Sequence, residues 1–133
     1  MFQEGLYTIL IIEDNNDIRE NLDELLLLEG YNTLQAGSGN KGIALCIEYN
    51  PDLIICDISM PDGNGYDVLN AVVSTSKSHE IPFIFSTSKS EKRELRKSLL
   101  LGADKILVKP YDMDLLVKTV SDLIKSGSKR HLV

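Results

Sequence analysis

The stretch LIICDISMPDGNGYDVL, Leu53–Leu69, decides how the rest of the chain is read. It opens as a buried apolar strand and delivers one carboxylate, Asp57, just before a Met60-Pro61-Asp62-Gly63 turn. From Gly65 the apolar residues Tyr66, Leu69, Val72 and Val73 return at helical spacing. An aspartate buried without a partner is costly. Its position therefore leaves two readings: a helix-capping turn, or a reactive oxygen presented at the lip of a sheet. What the other strands bring to the same edge decides between them.

Working outward, the same alternation recurs along the chain. LYTILII (6–12) is an apolar run of strand length that stops at Glu13-Asp14-Asn15. Ile18, Leu22, Leu25 and Leu26 then give one apolar helical face, and Gly30 supplies a stop. YNTLQA (31–36) reads as a second strand and 40–49 as a helix ending at Asn50-Pro51. The third strand is 52–57 with its helix at 65–75, and the fourth strand is IPFIFS, 81–86. Ser88-Lys89-Ser90-Glu91 has capping-box spacing ahead of a fourth helix that ends at Gly102. DKILVK (104–109) is the fifth strand, stopped by Pro110. In 112–126, Met113, Leu116, Val117, Val120, Leu123 and Ile124 fall on one helical face. Continuous apolar strands, as opposed to alternating ones, belong to a parallel sheet covered on both faces by helices. Right-handed crossovers make this a doubly wound α/β sandwich.

The bulk numbers agree. The chain of 133 residues, 43% apolar and 26% charged, has the composition of one ordinary globular domain. That domain is expected over 1–126, with 127–133 as a tail or the start of a linker. A net charge of −6 argues against direct nucleic-acid binding by this segment. Cys46 and Cys56, without Cys-x-x-Cys spacing, read as small buried hydrophobes. No run is long and apolar enough to span a membrane, and the start MFQEG lacks a basic leader. A cytoplasmic location is the expectation.

In a doubly wound sheet every strand's C-terminal end lies on one edge, where ligands bind. Glu13 and Asp14 leave the first strand there, Asp57 and Ser59 the third, Thr87 and Ser88 the fourth, and Lys109-Pro110 the fifth. Three carboxylates in one shallow pocket repel unless a cation is present. Oxygen ligands without a nearby His or Cys suit Mg²⁺, which takes one or two carboxylates, waters and a phosphoryl oxygen. Lys109 adds a positive charge able to pair with Asp57, and Thr87 a donor hydroxyl. The expected event is attack by the Asp57 carboxylate on a phosphoryl group to give an acyl phosphate, with Mg²⁺ and Lys109 neutralising charge.

Over residues 6–125 the chain resembles the receiver domain of two-component response regulators. The resemblance rests on Glu13-Asp14, on DISMPDGNG around Asp57, on Thr87-Ser88, on Gly102-Ala103-Asp104 and on Lys109-Pro110. It implies a flavodoxin-like five-stranded sheet in the order 2-1-3-4-5. It further implies that Asp57 is the phosphoacceptor. Glu13 and Asp14 hold Mg²⁺ with the Ser59 main-chain carbonyl, Thr87 and Lys109 bind the phosphoryl group, and the Lys109–Pro110 peptide is cis. The implied phosphodonor is a histidine kinase or histidine phosphotransfer protein docking over helix one. The implied output face is helix four, strand five and helix five, toward an effector domain or a second copy. Such a domain is a phosphoacceptor, not a conventional enzyme.

One departure stands out. The family's switch aromatic falls two residues after Asp104, where this chain has Ile106. An aliphatic has no ring to turn, so output is expected through movement of helix four or phosphorylation-dependent dimerisation. Ser88, nearly as small as alanine, leaves the site accessible. Taken singly, Glu13, Asp14 and Asn15 could cap helix one, Thr87 and Ser88 could cap helix four, and Lys109 could be a solvated strand end. Their conjunction at four strand exits argues otherwise. A pseudo-receiver acting through protein contacts alone is the alternative. A flavodoxin-like redox protein is disfavoured by acids after strand one that would repel a flavin phosphate. An aspartyl-phosphate hydrolase would carry a second aspartate where Ser59 stands.

Overall fold

Each apolar run pairs in one parallel sheet. In a computed structural model that describes residues 3–60, 64–88 and 92–128, the strands are β1 (Thr8–Ile12), β2 (Asn32–Ala36), β3 (Leu53–Asp57), β4 (Phe83–Thr87) and β5 (Lys105–Val108), ordered β2-β1-β3-β4-β5. The intervening helices are α1 (Asn16–Leu28), α2 (Gly39–Tyr49), α3 (Gly65–Val73), α4 (Lys92–Leu100) and α5 (Met113–Ser126). Fold class and strand order are those expected.

Side chains of a strand point alternately to opposite faces, and both faces here are dry. Leu10, Ile12, Ile54, Cys56, Phe83 and Phe85 pack toward Cys46 of α2 and Val68, Leu69 and Val72 of α3. Ile9, Ile11, Leu53, Ile55 and Ile84 pack toward Leu22 and Leu26 of α1 and Leu116, Val120 and Leu123 of α5. Met113, read onto the buried face of α5, is 45% exposed. Cys46 and Cys56 are free and buried, as expected. No helix among the described residues is long and apolar enough to cross a membrane.

Element ends follow local chemistry. The fourth strand begins two residues later than the sequence indicates, because Pro82 has no N–H to give a ladder. It runs one residue further, to Thr87, which pairs with Val108. The Asn15 side chain caps α1 by accepting from the Ile18 N–H (3.0 Å). Ser38 caps α2 in the same way, accepting from Lys41 (3.2 Å). The expected capping box at 88–91 lies partly outside the described residues. Past α5 the chain is still held at Ser128, whose hydroxyl donates to Asp104 Oδ1 (3.0 Å).

α4 is attached differently from the other helices. Half of its side chains from Arg93 onward are charged, and Ser98 is the buried one among those described. Tyr66 of α3 reaches across instead, donating its phenol to Glu94 Oε1 (2.5 Å) and lying 3.3 Å from Ser98 Oγ. The Lys97 ammonium sits 4.4 Å from the Tyr66 ring centroid, while the ring edge packs on Phe85 at 5.3 Å.

α3 starts hard against the end of β3. The Gly65 N–H donates to the Ile58 carbonyl (2.7 Å). A Cβ at Gly65 would lie 2.5 Å from the Asp57 carbonyl oxygen and 2.9 Å from both Ile58 Cα and Phe85 Cε1. Two of those atoms are backbone and cannot swing away. Gly65→Ala should therefore destabilise the fold by about 1–3 kcal/mol, read as a lower urea midpoint; an unchanged midpoint would contradict this packing.

Candidate functional site

The carboxyl edge gathers its groups because successive rungs of the sheet hold each strand end in place. The Glu13 N–H donates to Ala36 O (3.0 Å), the last rung between β1 and β2. Asp57 is the final residue of β3 and pairs with Ser86, so Thr87 lies one residue further along β4. The Lys109 N–H donates to Thr87 O (2.6 Å), which carries the fifth strand's exit to the same edge. The Lys109–Pro110 peptide is cis.

Glu13, Asp14 and Asp57 each present a carboxylate oxygen within 4.8 Å of the others. Glu13 and Asp57 are buried, whereas Asp14 is exposed. Lys109 Nζ lies 2.7 Å from Glu13 Oε1 and 3.7 Å from Asp57 Oδ2. The expected pairing of Lys109 with Asp57 is thus the longer of two contacts, and Glu13 takes the short one. The other Glu13 oxygen accepts from the Asn15 N–H (3.1 Å). Asn15 supplies the cap for α1, which leaves Glu13 and Asp14 to the pocket. Thr87 is buried at the edge, and Ser59 is exposed.

Asp57 is pushed up from 3.8 to about 6. Burial is the largest cause and the Glu13 charge the next; Lys109 and a hydrogen bond from the Ser59 main chain pull the other way. The Tyr111 phenol beside the site is pushed up to about 12, by burial and then by Glu13 and Asp57, so it stays neutral. Burial likewise raises the Cys56 thiol well above its ordinary value, which removes it as a nucleophile.

Such a donor set suits a hard divalent cation. Its oxygens are carboxylate oxygens, neither His nor Cys belongs to the cluster, and Asp57 is raised by burial and then by Glu13 despite the lysine beside it. Beside Lys109, a cavity of about 480 Å³ opens between α1 and the start of α5, lined by Ile18, Leu22, Pro110, Tyr111 and Met113 among others. Arg19, Gly65 and Tyr111 also shape this edge. The apolar and charge patterns of the sequence did not mark them, because each acts through backbone contact or burial that appears only on folding.

Residues 9–121 match the response regulator receiver domain family. The transcriptional regulatory protein PcoR of Escherichia coli is 35% identical over 117 residues, which cover 88% of this chain and 51% of PcoR. The response regulator SaeR of Staphylococcus aureus is 32% identical over 123 residues, 92% of this chain and 53% of SaeR. Among solved structures, the chemotaxis protein CheY4 of Vibrio cholerae superposes with a TM-score of 0.84 at 26% identity, over 89% of this chain and 98% of that one. The receiver domain of a signal transduction histidine kinase from Syntrophus aciditrophicus does so at 0.84 and 30%, over 96% of each chain. The chain belongs to the receiver domains of two-component response regulators. It spans about half the length of the curated relatives it matches. Receiver domains generally bind Mg²⁺ at an acidic pocket, and here the acidic cluster is Glu13, Asp14 and Asp57.

The shift on Asp57 has a measurable consequence. Between pH 3.8 and about 6 the folded chain holds a proton that the unfolded chain has released. Ionised Asp57 therefore subtracts from stability, fully above pH 6 and not at all below 3.8. In chelator at pH 7.5, Asp57→Asn should raise stability by about 1–3 kcal/mol, and the gain should shrink as pH falls through that window. A urea midpoint unchanged or lowered at pH 7.5 would contradict the burial of this charge.

Proposed function

We propose that this domain is a phosphorylatable signalling switch with Asp57 as the phosphoacceptor. The observation that carries this reading is the meeting of Glu13, Asp14 and Asp57 with Lys109 at one sheet edge. The donor is a phosphorylated histidine on a histidine kinase or phosphotransfer protein. Ionised Asp57 attacks phosphorus through one carboxylate oxygen, and the bond from phosphorus to the donor imidazole nitrogen breaks. The imidazole leaves with that electron pair, and the product is an acyl phosphate on Asp57.

Glu13, Asp14 and Asp57 would hold Mg²⁺, together with the Ser59 main-chain carbonyl. When bound, the ion supplies positive charge to the phosphoryl oxygens and relieves the repulsion among the acids. Lys109, already beside Asp57, would add its own charge, and Thr87 would donate its hydroxyl to a phosphoryl oxygen. The apolar cavity between α1 and α5 borders Lys109 and offers the donor a place to dock beside the reacting atoms. The complete set of acids, threonine and lysine disfavours a pseudo-receiver that signals without phosphorylation.

Output leaves through α4, β5 and α5, toward an effector domain or a second copy. Ile106 packs half-buried opposite Phe85, with no ring to move. Tyr66, hydrogen-bonded to Glu94 and packed on Phe85, gives α4 a different link to the strand that carries Thr87. Residues 1–126 form the receiver, and 127–133 lead from it into a tail or linker.

Incubation with acetyl phosphate and Mg²⁺ should add a single phosphoryl group by intact mass, and chelator should abolish the addition. Asp57→Asn should gain none. The same adduct on Asp57→Asn would overturn the assignment of the phosphoacceptor.

A further inference from the structure

The turn from β1 into α1 carries two acids in succession, and their charges push it away from Asp57. Something must hold its backbone, and Arg19 is placed to do so. Its guanidinium donates from Nη1 to the Glu13 carbonyl oxygen (2.9 Å), from Nε to Gln35 Oε1 on β2 (3.1 Å), and from Nη2 to Asn16 Oδ1 (2.7 Å). Three chain segments thus meet on one planar fork. The Glu13 N–H makes the last rung to Ala36, and the Glu13 carbonyl turns to Arg19. A Cβ on Gly37 would lie 3.2 Å from Nη1, so the guanidinium fills the space over that residue. Arg19 thus reaches the pocket through the Glu13 backbone.

We infer that Arg19 is a positioning residue for Mg²⁺, clamping the Glu13 carbonyl so that the Glu13 and Asp14 carboxylates face Asp57. This rests on reading the acidic pocket as an Mg²⁺ site. Residues that orient a ligand from behind typically change metal affinity about tenfold or more when removed. Here the hold is on backbone, so a weakening of about fivefold to tenfold is expected.

The test is calorimetric titration of the unphosphorylated protein with Mg²⁺, alongside melting in chelator. Arg19→Gln should raise the dissociation constant about fivefold to tenfold, with the chelator melting temperature lowered by a few degrees through the lost hydrogen bonds but unfolding still in one cooperative transition. Arg19→Lys, with one ammonium to reach Glu13, should fall between Arg19→Gln and the parent. Arg96→Gln, which removes an equally charged group from exposed α4, should bind like the parent. Parent-like affinity in Arg19→Gln, or equal weakening in Arg19→Gln and Arg96→Gln, would overturn the role of Arg19. A parent protein that takes up no Mg²⁺ at millimolar concentration would instead overturn the metal site beneath it. Should Arg19→Gln fail to fold, the Arg19→Lys titration decides, with parent-like affinity counting against the proposal.

Discussion

The ion pair between Lys109 and Glu13 joins residues 96 positions apart, with β3 and β4 lying between their strands. It exists because a parallel sheet sends every strand end to one edge, and the acids collected there need a cation. Glu13 is nearly fully buried and Lys109 only partly exposed. In such surroundings an unpaired charge is far more costly than a paired one. Asp57 is raised first by that burial and then by the Glu13 charge, and Lys109 offsets only part of both. The part left uncompensated makes the edge receptive to a divalent ion and to an incoming phosphoryl group. The fold's stability and the site's chemistry therefore pull against each other at Asp57.

Much of this was legible in the sequence because a doubly wound sheet converts linear order into spatial position. Apolar runs such as Ile9–Ile12 and Leu53–Cys56 are buried on both faces, which is why neither alternates. Once they are taken as parallel, Glu13, Asp57, Thr87 and Lys109 must share an edge. Pro82 and Thr87 show the limit of that reading. A composition-based boundary placed the fourth strand too early, whereas the missing N–H of Pro82 and the pairing of Thr87 with Val108 set the real one.

What the sequence did not disclose depends on contacts between segments far apart in the chain. Lys109 prefers Glu13 to Asp57, a choice made by side-chain reach and not by pattern. Arg19 reads as an ordinary helix cation until its fork is seen spanning Glu13, Asn16 and Gln35. Gly65 reads as the start of the third helix, and only the fold reveals that a Cβ there would strike the Asp57 carbonyl. α4 buries little apolar surface of its own, and its attachment through Tyr66 is invisible to hydrophobic periodicity. Ile106 on β5 lies opposite Phe85, the ring on which Tyr66 packs.

The most direct test of the shared acidic pocket is a ¹³C NMR titration of the Asp57 side-chain carboxyl, in chelator and again in Mg²⁺. Without metal the midpoint should lie near 6, well above the ordinary 3.8. With Mg²⁺ it should fall, because a neighbouring cation favours the ionised carboxylate. A metal-free midpoint near 3.8 that Mg²⁺ leaves unmoved would contradict the convergence of these acids on one ion.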